Sequence, residues 1–347
     1  MGIKKQKYAK KLYPTFNKTK EIIMSDKKIL VIGGAGYIGS HVVKSLLEEN
    51  FNVTVYDNLS TGQRCNLFQE AKFIEGDILD VEKLEKTMSE GFDAVVHLAA
   101  KKAVGESMEK PQMYAINNIC GSINIFNAMV NNGVKNIVFS STSASYGMPQ
   151  YMPLDEKHPI NPMSFYGFSK VEIERVMEWY SKLKDFNFIA LRYFNAVGYA
   201  ADGSIRGKEI NPQNLVPVIM EVITGKREIV HVFGNDYDTP DGTCIRDYIH
   251  VEDLGRAHVA AIKKLWQEPK SHIINLGTNK GTSVLEIIKS TERVTGRKVN
   301  YDFAPRRAGD PSIVIATNDL AKELLGWEPK YTDIDEIIRT TWNLEDK

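Results

Sequence analysis

The chain is 347 residues long and carries 44 lysines and arginines against 44 aspartates and glutamates, so it has ample material for a large core and no net field to gather nucleic acid or an anionic membrane. No apolar run approaches the roughly 18 residues of a membrane span, and the seven histidines are too scattered to ligate a metal, so the expected partner is a small molecule. Three distant cysteines, Cys65, Cys120 and Cys244, fit a reducing, cytoplasmic compartment better than a disulfide scaffold.

Residues 1–23 hold seven lysines in their first 20 positions and no acid before Glu21, without the apolar stretch of a secretory signal. They read as a disordered basic extension or an over-long start ahead of Met24. The run KILVI (28–32) then opens a series continued by VTVYD (53–57), KFIEG (72–76), AVVHL (94–98), NIVFS (136–140), NFIALR (187–192) and HIINL (272–276), with segments of helical period between them. Strands that are apolar at successive positions are buried on both faces, so the alternation predicts an α/β fold, a Rossmann-like doubly wound parallel sheet. We expect a dinucleotide-binding domain over 24–195 and a smaller C-terminal substrate-binding α/β region over 196–347, with 272–276 returning to the main sheet.

The first strand leads into GGAGYIGSHVVKSLL, which sets Gly33, Gly36 and Gly39 at the spacing G-x-x-G-x-x-G. Gly33 permits the tight turn, Gly36 lets the backbone approach a pyrophosphate, and Gly39 lets helix and strand pack closely, with the helix N-terminus facing the negative charge. Asp57 ends the next strand, 18 residues after Gly39, where an acid accepts from ribose hydroxyls and repels a 2′-phosphate. With Asn58 beside it and no arginine before Arg64, NAD is expected rather than NADP. Asp77, closing the third strand, either meets the adenine amino group or caps its own loop. Helices are expected over 107–131 and 165–184.

NIVFSSTSASYG ends a central strand in hydroxyl residues, where ligands of open α/β sheets sit. SFYGFSK follows a proline-containing loop and puts Tyr166 and Lys170 on one face at the start of a helix. A phenol is a poor base near neutral pH unless a cation stabilises its anion, and Lys170 is placed to do that, with a hydroxyl from Thr142 or Ser143 to shuttle the proton. A second Tyr-x-x-x-Lys, Tyr180 with Lys184, lies deeper in the same helix and reads as solvated surface. Beyond residue 195 the texture turns to loops rich in Gly, Asp, Asn and Pro, with one helix start legible at SVLE, where Ser283 and Glu286 form a capping box.

From Lys28 to Trp342 the chain resembles the extended short-chain dehydrogenase/reductase family, and within it the UDP-glucose 4-epimerases. The stretches that carry the likeness include GGAGYIGSH, HLAAKKAVGES, FSSTSASYG, LRYFNAVG, FGNDYDTPDGTCIRDYIHVEDL and APRRAGD. The resemblance implies that bound NAD oxidises C4 of a UDP-hexose, that the 4-keto sugar rotates, and that hydride returns to the opposite face. It implies Tyr166 as the base, Lys170 lowering its pKa, and Thr142 assisting. Cofactor contacts would come from Tyr37, Ile38, Ile78, Leu98, Ala99, Lys102, Asn117 and Tyr193 besides the glycines, Asp57, Asn58, Asp77, Tyr166 and Lys170.

By the same resemblance Asn195 lines the junction of cofactor and sugar, and Asn214, Leu215, Phe233, Arg246, Tyr248, Arg307 and Asp310 hold UDP, with Lys102, Thr142 and Tyr166 also on the substrate. A UDP-sugar brings two negative charges to a neutral protein, and arginine forks suit a diphosphate. The family generally has serine where this chain has Thr142. The resemblance also implies that Val314, four residues after Asp310, borders the room for the sugar's C2 substituent, and its medium-to-small side chain leads us to expect that N-acetylated UDP-hexoses fit as well. The family likeness also favours a homodimer. Two alternatives stand: a 4-epimerase of another UDP-sugar, a pentose or uronic acid, and a non-catalytic NAD-binding sensor. A dehydratase is disfavoured because TSASYG lacks an acidic pair.

Overall fold

A computed structural model of the chain describes residues 26–345 apart from 210, 211 and 308. The basic extension expected over 1–23 lies outside the described residues. Six strands come first: β1 (Lys28–Ile32), β2 (Asn52–Asp57), β3 (Lys72–Glu75), β4 (Ala94–His97), β5 (Asn136–Thr142) and β6 (Asn187–Tyr193). The remainder are β7 (Asn195–Val197), β8 (Val230–Phe233), β9 (Ile245–His250), β10 (His272–Leu276), β11 (Gly281–Ser283), β12 (Tyr301–Ala304) and β13 (Ile313–Val314). All seven apolar runs of the sequence are strands, and together they make one parallel sheet in the order β10-β6-β5-β4-β1-β2-β3.

Both faces of that sheet are covered, which is why its central strands carry apolar residues at successive positions, as in β1 and β4, whereas the edge strand β3 keeps exposed charges at both ends. Helices Tyr37–Glu48 and Val251–Gln267 bury Val42, Leu46, Leu254 and Ile262 against one face. Helices Val81–Met88, Gly121–Asn131 and Phe165–Leu183 bury Leu84, Ile125, Phe126, Ile173 and Met177 against the other. Strand order reverses between β1 and β4, and the crevice outside those strand ends is where a doubly wound sheet takes its ligand. No helix among the described residues is long and apolar enough to cross a membrane.

The helix expected over 107–131 is not continuous. It begins early, at Val104–Glu109, breaks before Pro111, and passes through a π-helical turn at Ala115–Cys120 before Gly121–Asn131. Proline has no N–H to give and fits the first turn of a helix, so it starts the second segment there. The remaining strands form a small sheet, β11-β9-β13 with β7 on β9, and a parallel pair, β12-β8. Helices Leu215–Ile223, Val284–Thr295 and Ile334–Glu345 close a third core around Ile219, Ile287 and Ile338. The Ser283–Glu286 capping box is formed in both directions.

Candidate active site

The glycine loop is explained position by position. Gly33 has φ +89°, and a Cβ there would sit 2.6 Å from Ala99 N; at Gly39 it would sit 2.0 Å from Gly33 O. Both glycines are therefore demanded by the protein itself. Gly36 differs: a Cβ would meet only Gly33 O at 3.4 Å. It heads helix Tyr37–Glu48 with no side-chain cap and no acid in the first turn, leaving the positive helix end turned outward. A pyrophosphate fits that cradle.

Around it, Leu98 N and Ala99 N both donate to Ile32 O, at 2.8 and 3.1 Å, closing β4 onto β1. Ile38 packs into the core. Asp57 is buried and accepts from Ala35 N at 3.0 Å and Leu59 N at 2.8 Å; burial raises its carboxyl and these two bonds oppose the rise. Asn58 is exposed and donates to Asp77 at 2.8 Å, while Asp77 also accepts from Leu79 N and so caps its own loop. Ile78 is buried beneath Gly121. Lys102 is ion-paired to Glu209. Asn117 lies in the π-helical turn and donates to Asn118, whose own amide grips both backbone groups of Lys101 and Ser169 Oγ.

Thr142 and Tyr193 stand in register at the ends of β5 and β6. Helix Phe165–Leu183 is started by Ser164, which accepts from Gly167 N at 3.1 Å, so Tyr166 faces the strand ends from the first turn. Tyr166 N donates to Ser107 Oγ at 3.1 Å. Burial pushes the Tyr166 phenol up to about 12, and the hydrogen bond with Thr142 pulls it back. Lys170 is 3% exposed, donates to Ser140 O at 2.8 Å and lies 4.6 Å from the Phe139 ring centre; burial lowers its ammonium to about 7, against the attraction of Glu174. Tyr193 shares a hydrogen bond with Ser140 Oγ, and burial raises its phenol as well.

The residues expected to hold the ligand lie on β7, β8, β9 and β13, at the start of helix Leu215–Ile223 and on the loop carrying Arg307 and Asp310. Arg246 pairs with Asp310 and donates to Ile245 O at 2.8 Å; Arg307 lies 3.9 Å over the Phe233 ring; Asp310 N returns to Arg307 O at 3.2 Å. Val314 is partly buried, packs beside Tyr146, Leu154 and Ala316, and is in register with Arg246. Asn195 donates to Asp247 O at 3.0 Å. Asn214 begins helix Leu215–Ile223 without capping it through its side chain, and Leu215 is the first residue inside. Tyr248 is buried in the third core.

One expectation is corrected. Tyr180 is partly buried: its hydroxyl donates to Asn127 at 2.7 Å, and its ring packs edge-on against Phe126 and Phe186. Lys184 alone is solvated, so the second Tyr-Lys pair is divided between packing and surface. Sequence reading also missed a buried polar layer beneath the dyad, Ser140, Ser141, Glu174 and Arg192. Its signals were Glu174 four residues after Lys170 and Arg192 immediately before Tyr193. A strap was missed too. Gly198 O accepts from Tyr37 Oη at 2.5 Å, Ala200 N donates to His41 Nε2 at 3.0 Å, and Gly207 N donates to Asn66 at 2.8 Å, so residues 198–209 run latched along the glycine-loop half.

Residues 29–277 match the NAD dependent epimerase/dehydratase family. The UDP-glucose 4-epimerase of Lacticaseibacillus casei is 46% identical over 317 residues, covering 91% of this chain and 96% of that protein. Among solved structures, UDP-glucose 4-epimerase from Brucella ovis in complex with NAD superposes with a TM-score of 0.88 at 43% identity, covering 90% of this chain and 97% of that one. The UDP-Glc/GlcNAc 4-epimerase of Campylobacter jejuni superposes with a TM-score of 0.82 at 38% identity, covering 92% and 99%.

Proposed function

This chain belongs to the NAD dependent epimerase/dehydratase family, and from that premise we propose that it interconverts UDP-galactose and UDP-glucose by inverting C4 of the hexose, with NAD as its resident cofactor. The observation that carries the reading is the grouping of Tyr166, Thr142 and a buried Lys170 at the strand ends, on the same edge of the parallel sheet as the Gly36 cradle. When bound, NAD supplies the hydride acceptor and donor. Gly33, Gly36 and Gly39 with the helix end would hold its pyrophosphate, and Asp57 its adenosine ribose.

Thr142 hydrogen-bonds the sugar's O4 hydroxyl and relays its proton to Tyr166, which returns it after the sugar has presented its other face. A phenol near 12 is almost fully protonated at neutral pH, and Lys170, partly protonated there because its ammonium titrates at about 7, favours the phenolate. Arg246 and Arg307 neutralise the diphosphate, with the Phe233 ring beneath the uracil side of the ligand and Asp310 setting the Arg246 fork. Asn195, Asn214 and Leu215 complete the wall, and Tyr248 supports it from the core. Turnover of N-acetylated UDP-hexoses is a second activity of the same site, favoured by the modest bulk of Val314.

The protein works as a cytoplasmic homodimer. Its pairing face is the apolar stripe of Ile116, Phe168, Trp179 and Leu183 on neighbouring helices, each at least 40% exposed. The test is incubation of the purified protein with UDP-galactose and no added cofactor, followed by chromatography of the UDP-sugars. UDP-glucose in excess over enzyme is expected and reports both the epimerisation and a retained NAD. No conversion, even with NAD supplied, would remove the substrate assignment.

A further inference from the structure

Glu174 is 2% exposed and sits one helical turn beyond Lys170, on the face of helix Phe165–Leu183 that packs onto the sheet. Both of its carboxylate oxygens are engaged. Oε1 accepts from Ser141 Oγ at 2.5 Å and from Arg192 Nε at 2.9 Å, and Oε2 accepts from the second Arg192 nitrogen at 2.5 Å. Ser141 immediately precedes Thr142 on β5, and Arg192 immediately precedes Tyr193 on β6. A single carboxylate therefore joins the helix that carries Tyr166 and Lys170 to the two strands whose next residues are Thr142 and Tyr193.

We infer that Glu174 is a positioning residue that sets the registry of Tyr166 against Thr142, acting through Ser141 and Arg192. The clamp is suited to this because it is charge-balanced. Arg192 meets Glu174 side-on with a two-pronged fork and lies 4.9 Å from the Tyr146 ring centre. Tyr146 in turn donates to Asn275 on β10 at 2.6 Å, extending the tie to the edge of the sheet. In a buried pair of this kind desolvation offsets most of the attraction, so its role is to fix geometry rather than to add stability. Near-attack placement is sensitive to shifts of an ångström, so loosening the clamp acts on turnover and leaves the UDP-holding loops alone.

The inference rests on the proposed epimerase reading, and three variants test it. Glu174→Asp keeps the charge and shortens the reach, Glu174→Gln keeps the length and removes the charge, and Ser141→Ala cuts only the tie to β5. Both Glu174 variants are expected to lose kcat on the order of 100-fold and Ser141→Ala about tenfold, with KM for UDP-galactose within about threefold. Full activity in Glu174→Asp would overturn the inference, because charge alone would then suffice, and so would a parallel rise in KM. A substrate-free readout separates the two claims. The 13Cζ resonance of Tyr166, assigned by its absence in Tyr166→Phe, is expected to shift in Ser141→Ala as the bond to Thr142 loosens. An unmoved resonance overturns the positioning role. A moved resonance in a protein that leaves UDP-galactose untouched would keep it and remove only the substrate.

Discussion

The two sides of the crevice are built on different principles. On the proposed reaction side, the groups stand on strand ends or a helix turn and are largely buried, and burial displaces the proton affinity of three of them: Tyr166 up to about 12, Lys170 down to about 7, Tyr193 upward. On the proposed ligand side, Arg307 is exposed on a loop against Phe233, and Arg246 is ion-paired with Asp310. Chemistry needs groups that are desolvated and fixed, whereas a diphosphate needs full charges that can be exchanged between an internal partner and the ligand. The contrast implies that damage on the two sides registers in different kinetic constants.

The largest effect is expected on the reaction side. Tyr166→Phe removes the proposed proton acceptor and keeps the ring, so kcat for UDP-galactose should fall on the order of 10³-fold or more, with KM little changed and the thermal midpoint preserved. Initial rates across substrate concentration read this directly. A variant that kept a tenth of its turnover would mean that another group carries the proton, and the division of labour across the crevice would fail.

Much of this contrast was visible in the sequence on one side and invisible on the other. The inner strands were legible because burial on both faces leaves an unbroken apolar run, as in Ile29–Ile32, and the edge strand β3 was legible from its short β-forming pair Phe73–Ile74. The glycine loop and the Ser283 capping box were legible because each is a local backbone requirement with fixed spacing. The interruption at Pro111 is equally local, but it falls inside an apolar pattern that reads as one long helix. Glu174 and Arg192 were opaque for a different reason. In a linear sequence a buried charge cannot be told from a solvated one, and only the pairing of β5 with β6 brings Ser141, Glu174 and Arg192 together. Tyr180 was misread by the same logic, since acids and lysines surround it in sequence while Phe126 and Phe186 surround it in space.

Acid should erode both sides, which separates stability from the catalytic contrast. Burial lowers His97 to about 3 under the dyad, His250 to about 3 against Tyr331, and His41 and His258 to about 4. Each is neutral in the fold and binds a proton near 6.5 when unfolded, so the unfolded state takes up more protons between about 6.5 and 4, and stability falls as pH falls through that window. Asp247, raised to about 6 by burial, works the other way between about 3.8 and 6 and offsets part of the loss. The unfolding free energy from urea titrations should drop by several kcal/mol in total between pH 7.5 and 4.5, and His41→Gln should flatten the curve. A flat wild-type curve would mean that these rings are protonated in the fold.

The smallest effect is expected on the ligand side and is the most discriminating. Arg307 is exposed, and its stacking on Phe233 at 3.9 Å is worth about 0.5–1 kcal/mol at such a site. Arg307→Ala should therefore leave folding intact and raise KM for UDP-galactose by about tenfold, the loss of one charge-assisted contact to phosphate, with kcat within about twofold. Salt should narrow the gap between variant and wild type, since the lost term is electrostatic and screened. If kcat fell with KM unchanged, Arg307 would be acting on the reacting sugar, and the crevice would have one functional side where two are argued.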